Sequence, residues 1–195
     1  VKPAAAPDRT SVLGDLDTQL MLQVRAGNRE AANTLIRRNF ERIARYIGRV
    51  VGSVSPVEDL TQDVFLTAFS KADNYEPKAK VTTWLYRIAT NKALNYLKQP
   101  HVKRRLPAPP EDGLDLPDRG ALPPDARLSL DELKDKVSQA LHGLPVNQRI
   151  AITLFEYEDC SYEQIASVLD VTVEAVRGLL TRARTAMRQQ LRGLI

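Results

Sequence analysis

Seven of the chain's twelve prolines fall between Pro100 and Pro124, in PHVKRRLPAPPEDGLDLPDRGALPP, and this stretch limits what the 195 residues can fold into. Each X-Pro step removes an amide donor and biases the preceding residue toward extended backbone, so neither a helix nor a sheet ladder runs through it. The stretch also lacks helical periodicity and has few large apolar residues. Structureless loops of this length are uncommon inside compact domains, so it reads as a semi-extended linker between two domains, with a long loop inside one domain as the alternative. The expected division is a tail at 1–15, a first domain at 16–99, the linker at 100–127 and a second domain at 128–195. With 43% hydrophobic residues, both flanks can bury a core.

Both flanks read as helical, which makes the expected fold all-α. Leu20, Val24, Ala31, Leu35, Ile43 and Ile47 recur at helical steps, with a break at Gly27 and Asn28. In SPVEDLTQDVFLTAF, Ser55, Pro56 and Glu58 fit the cap, first-turn and capping-box positions of a helix start. A further helix is expected from about Thr83 to Lys98. Beyond the linker, Ser129 with Glu132 and Ser161 with Gln164 form two more capping boxes. The second of these opens a short helix, Tyr162 to Leu169, joined by a tight turn to a long helix from Val173 to about Arg192.

Short helix, three-residue turn and long basic helix make a helix-turn-helix, the core of a four-helix second domain. Ile165, Leu169, Val171, Val176 and Leu180 are expected to share one small core. Thr172 is placed to cap the long helix, and Glu174, Arg177, Thr181, Arg182 and Arg184 follow on its polar faces. In such motifs the second helix lies in the major groove, where arginine pairs with guanine edges and other polar groups anchor on phosphate. The alternative is an ordinary bundle helix with solvated arginines, or with Arg182 or Arg184 paired to acids of its own domain.

Charge distribution agrees with a polyanionic partner. The formal charge is +4, yet Pro77 to Pro110 holds eight Lys or Arg and no acid, and Val176 to Ile195 holds five Arg and no acid. Enzyme chemistry finds no support: there is no Gly-rich phosphate loop and no Ser, Cys or His constellation. The lone Cys160 forms no internal disulfide, and His101 and His142 offer no metal-ligand spacing around it, so no cofactor or metal is expected. A reducing cytoplasm is the expected location, because the sequence shows neither a signal peptide nor an apolar run near the ~20 residues of a membrane span.

Three stretches in order, DLTQDVFLTAF, TTWLYRIATNKALNYL and, after the proline-rich linker, SYEQIASVLDVTVEAVRGLLTRARTAM, resemble the extracytoplasmic-function sigma factors, two-domain members of the sigma-70 family. The resemblance covers nearly all of the chain after Asp15. It implies a transcription initiation factor whose first domain grips RNA polymerase core and opens the minus 10 element while its second reads the minus 35 element. The resemblance places Asp59, Gln62 and Asp63 against the coiled coil of the polymerase beta-prime subunit. It places minus 10 recognition on NYEPKAKV and the following helix, with Tyr75 lining a base pocket, Lys78, Lys80, Arg87 and Lys92 along the strand path, and Asn91 or Asn95 near base edges. An aromatic pocket suits that task, since each stacked base contributes ~1–3 kcal/mol. Trp84 reads as a core anchor or as a second stacking residue. The linker's Lys103, Arg104 and Arg105 suit phosphate or acidic polymerase walls, or are simply solvated.

The resemblance also implies an anti-sigma partner. Where many members carry a Ser-Arg pair, this chain has Gly178 and Leu179, so its promoter preference is expected to differ. A stand-alone helix-turn-helix regulator with a sensing or dimerising first domain, and a helical adaptor without nucleic acid, are the alternative functions.

Overall fold

A computed structural model describes residues 12–52, 56–103 and 130–192. Among the described residues the regular structure is helical throughout: α1 (Leu16–Arg25), α2 (Arg29–Val51), α3 (Val57–Ser70), a 3-10 turn (Ala72–Asn74), α4 (Val81–Leu97) and α5 (Pro100–Lys103), then α6 (Leu130–His142), α7 (Val146–Glu156), α8 (Tyr162–Leu169) and α9 (Val173–Gln190). The all-α class, with two helical groups and a helix-turn-helix in the second, agrees with the sequence reading.

Local signals set most of the boundaries. Asp15 caps α1 by accepting from the Thr18 amide, and Asn28 caps α2 by accepting from the amides of Glu30 and Ala31. Between them Gly27 turns the chain at φ +88°, a conformation that favours glycine. Asp17 is buried under the α1–α2 contact, where Arg38 Nε at 2.6 Å and Asn39 Nδ2 at 3.1 Å satisfy its carboxylate. α2 then lays Leu35, Ile43, Tyr46, Ile47 and Val50 against α3 and α4, with Tyr46 OH 2.6 Å from Thr90 Oγ1 at the centre. A phenol and a hydroxyl that satisfy each other avoid the 1–3 kcal/mol that a buried orphan costs.

Two boundaries differ from expectation. α3 starts at Val57 with Pro56 as its N-cap and without a side-chain capping bond. Pro56 has ψ 70°, outside the helical range, which displaces it from the first helical position. Ser55, Ser129, Arg104, Arg105 and the rest of 104–129 lie outside the described residues. The helical path also runs four residues into the expected linker, as α5, with Val102 buried against α4.

In the second group Ser161 and Gln164 form the full capping box of α8, and Thr172 caps α9 by accepting from the Ala175 amide. Asp170 makes the turn between these helices with φ 57° and ψ 49°, a left-handed conformation that Asp tolerates better than most side chains. Ile165, Val176 and Leu180 fill the core beneath. Val171 does not join them: it is 40% exposed because its amide turns inward to donate to Ala166 O, which leaves the side chain outside.

Candidate functional site

α3 presents two unlike faces. Val64, Phe65 and Ala68 are buried, and Phe65 stacks on Phe40 at 6.2 Å, so the helix is anchored from inside its own domain. Asp59, Gln62 and Asp63 are exposed on the outer face. Leu66, one turn further on, is 67% exposed on the same stripe, an apolar side chain that the sequence reading did not include. Acids near the start of the helix are also favoured by its dipole.

α4 and the loop before it carry the second set. Arg87, Asn91 and Asn95 stand four residues apart and are all exposed, forming one stripe. Lys80 is the exposed N-cap residue of α4, and Lys78 pairs with its neighbour Glu76. Lys92 pairs across helices with Asp63 at 3.3 Å. Tyr75 departs from the expected role. Only 2% exposed, it packs its ring against Trp84 at 5.2 Å, and its hydroxyl donates to Ala79 O at 3.1 Å. Burial comes first in raising its pKa. A ring enclosed in this way has no face open to a base; Tyr75 is a core residue here, and Trp84 is its partly buried packing partner.

α9 carries the third set. Its N-terminal half points Glu174, Arg177, Thr181 and Arg182 to solvent while Val176, Leu180 and Ala183 pack inward. Thr181 Oγ1 donates back to Arg177 O at 2.9 Å. Arg184 is already engaged: it pairs with Glu156 at 3.0 Å and lies over the Phe155 ring at 4.8 Å. Partial burial works against its charge, but the hydrogen bonds to Glu156 and Tyr162 prevail and raise its pKa. Arg182 folds back over Gly178, where an added Cβ would sit 3.3 Å from its Nη1. The glycine therefore gives room to an arginine of the same helix.

Residues 35–101 match the sigma-70 region 2 family and residues 134–187 match sigma-70 region 4. The ECF RNA polymerase sigma-E factor of Escherichia coli K12 is 34% identical over 186 residues, spanning 92% of this chain and 96% of its own length. The RNA polymerase sigma-H factor of Pseudomonas aeruginosa is 31% identical over 189 residues, with 92% and 95% covered. The chain belongs to the extracytoplasmic-function sigma factors. Among solved structures, CnrH in complex with the cytosolic domain of CnrY shares the fold at a TM-score of 0.67 and 25% identity, covering 91% of this chain and 97% of that one. The sigma factor RpoE of Bartonella quintana, solved with the anti-sigma factor NepR, shares the fold at a TM-score of 0.62 and 23% identity, covering 82% and 95%.

As a sigma factor the chain is a DNA-binding transcription initiation factor whose partners are RNA polymerase core and promoter DNA. Region 2 contains the α3 and α4 faces, and region 4 contains the helix-turn-helix. Among the described residues no helix is long and apolar enough to cross a membrane.

The two regions of this sigma factor pack on each other through residues that sequence reasoning missed. Glu158, in the turn after α7, is 6% exposed and faces Arg42 Nε at 2.9 Å, Arg49 Nη1 at 3.7 Å and the Tyr86 hydroxyl. Arg42 also donates to Glu158 O at 3.2 Å. Burial opposes the charge of Arg42, yet the hydrogen bond to Glu158 helps hold its pKa above the ordinary value. Burial, and then the Glu158 carboxylate, push the Tyr86 phenol far up. Arg149, 8% exposed, donates to Val50 O at the end of α2 (2.7 Å) and to His142 O (2.7 Å) and Leu144 O (3.0 Å) of its own region. Desolvation lowers its pKa to about 10. Gln164 Nε2 donates to Thr83 Oγ1 at 3.2 Å. Arg149 carried no clear signal in the sequence, where it follows Asn147 and Gln148 in the polar first turn of α7. Nothing local marks Glu158. Cys160 beside it is buried, and burial pushes its thiol up to about 12, against any nucleophilic role.

Two hollows flank this packing. One, of about 180 Å³, lies between the regions, with Arg87, Thr90, Asn91 and Leu94 on one wall and Val168 to Val171 and Leu179 on the other. The second, of about 310 Å³, is a mostly apolar groove on region 4 lined by Leu141, Ile152, Tyr157, Met187 and Leu191, with the paired Glu156 and Arg184 and with Arg188 also lining it.

Proposed function

We propose that this sigma factor divides its work among three faces. The α3 stripe of Asp59, Gln62, Asp63 and Leu66 docks on polymerase core, α4 with Lys78 and Lys80 follows the minus 10 strand, and the outward half of α9 reads the minus 35 element. The observation that carries the reading is the α3 stripe itself. Three acids or amides and a leucine are exposed on a helix whose opposite side is packed inside its own domain, so nothing among the described residues explains the apolar member. Acids steer a basic partner and the leucine anchors it. On α9, Arg177, Thr172, Glu174 and Arg182 remain the candidates for DNA contact, while Arg184 is supported better as a brace for Glu156 and Phe155. Thr181 offers a side chain that has already given its proton to the backbone.

The reading includes an inhibitory protein partner. CnrH, similar in fold, was solved with the cytosolic domain of another protein bound, and the apolar groove on region 4, with Arg188 beside the Arg184–Glu156 pair, suits an amphipathic segment. The domain bounds 16–99 and 128–195 belong to the same proposal.

Run-off transcription with sigma-free core and a promoter library tests the function. Initiation only when chain and core are both present supports it; a shift of duplex DNA by the chain alone, with no transcripts, would favour a stand-alone regulator. Gln62→Ala with Asp63→Ala is expected to weaken core binding and leave DNA affinity of region 4 intact, and Arg177→Ala to do the reverse. Equal damage to both functions by either change would defeat the division of labour.

A further inference from the structure

On a helix, side chains lean toward the N-terminus and come to lie over the residue four positions earlier, so what stands there decides where a long side chain can rest. For Arg182 of α9 that residue is Gly178. The arginine takes the room the glycine leaves: its Nη1, Nη2 and Cζ lie 3.3, 3.6 and 3.8 Å from the place a Cβ at 178 would occupy. All three atoms belong to the guanidinium, so the charged group itself, and not its aliphatic stem, covers the glycine. Among the described residues Arg182 has no ion pair, whereas Arg184 is tied to Glu156 and Phe155.

The position of this slot on the helix gives it a consequence. Val176, Leu180 and Ala183 turn inward, and Gly178, two residues from both Val176 and Leu180, falls on the opposite side, in the middle of the outward face. Exposed Glu174, Thr181 and Arg182 surround it. A side chain at 178 would hold the middle of that face itself and send Arg182 to the edge. With glycine there, a guanidinium whose donors are free holds the middle, beside Thr181, whose hydroxyl donates to Arg177 O. A planar guanidinium with free donors is the group that pairs bidentately with guanine O6 and N7 in the major groove.

We propose that Gly178 is a specificity-determining position that acts by placement: it admits the Arg182 guanidinium to the centre of the outward face of α9, so that Arg182 selects a guanine in the minus 35 element. The inference rests on the assignment of the outward half of α9 to that element. A glycine that instead lets the DNA backbone come close to the helix is the competing arrangement.

Holoenzyme assembled from the full chain and sigma-free core, transcribing a promoter library randomised over the minus 35 element, decides between them when the transcribed templates are sequenced. Wild type is expected to favour guanine at one position by about tenfold, and Arg182→Ala to lose that preference there alone. Gly178→Leu fills the slot and is expected to lose the same preference although the arginine is still present. Combining the two changes adds nothing further, since both act through one contact. Gly178→Ala asks the guanidinium to give by only a few tenths of an ångström and is expected to keep most of the preference. Both replacements of the glycine raise helix propensity, so unfolding does not account for a loss.

An unchanged guanine preference in Gly178→Leu overturns the proposal. So does a fall at every position alike in Gly178→Ala, the result that close approach of DNA predicts. A change in Arg182→Ala without one in Gly178→Leu overturns the placement role alone. Selection of the wild-type sequences by both Arg177→Ala and Arg182→Ala would instead defeat the assignment of α9 to the minus 35 element, and the inference with it.

Discussion

Lys92 Nζ lies 3.3 Å from Asp63 Oδ2, tying α4 to α3. The two residues were assigned from sequence to different partners, one to DNA and the other to polymerase, and in the folded chain they face each other. Both are partly exposed, and exposed pairs are typically worth about 0.2–1 kcal/mol. Asp63→Ala and Lys92→Ala are therefore each expected to shift urea unfolding by less than about 1 kcal/mol, with a coupling of the same order in the double mutant. A several-fold larger loss of stability from Asp63→Ala would make it a structural residue and remove it from the docking face.

Gln164 uses both ends of its amide: Oε1 accepts from the Ser161 amide at 2.7 Å, and Nε2 donates to Thr83 across the junction. Ser161→Ala removes a cap alone and is expected to cost ~1 kcal/mol. Gln164→Ala removes half of the capping box and one crossing hydrogen bond, and is expected to cost about 1 kcal/mol more. Equal denaturation midpoints for the two variants would contradict the crossing bond.

Gly178 sits in the interior of α9, where glycine is about 1 kcal/mol less favourable than alanine. The nearest neighbour of an added Cβ is the flexible end of Arg182 at 3.3 Å, which can move by a few tenths of an ångström. Gly178→Ala should raise the melting temperature. A lowered one would show that Arg182 is held in place by something stronger than this helix.

His142 closes α6 beside Arg149, with Gly52 at the end of α2 close to its ring and Ser138 Oγ 3.4 Å from its Nδ1. Burial, and then the nearby Arg149, lower its pKa. The unfolded chain therefore binds the proton first, near the ordinary value of about 6.5, and the native state loses stability as pH falls below that value until the lowered folded pKa is passed. The slope is at most about 1.4 kcal/mol per pH unit. Thermal melts between pH 7.5 and 5.5 are expected to show the decline in wild type and a flatter profile in His142→Gln; a wild-type profile already flat in that window would refute the assignment.

Signals of three or four residues were legible in the sequence because their partners are close by. The Ser161–Gln164 box, the Thr172 cap, the Gly27–Asn28 break and the bounds of α8 all depend on hydrogen bonds that span one turn. Pro56 moved by one position because its ψ of 70° lies outside the helical range, a torsion that residue type alone does not set. Tyr75 was misread because its burial is decided by Trp84 from the next helix and by Thr18, 57 residues earlier. Glu158 was invisible for the same reason on a larger scale: its partners lie 116 and 72 residues away, and an acid in a short turn ordinarily belongs to water. The sequence thus revealed the outward faces better than the junction between the two regions.

The two-ended amide of Gln164 links events on different scales. A change that parted region 4 from region 2 would take from the first turn of α8 the contact that keeps this side chain in place, so fraying there and separation of the regions would rise together. Amide hydrogen exchange at the start of α8 is then a local reporter of a rearrangement that spans the whole chain, readable without any label attached to the protein.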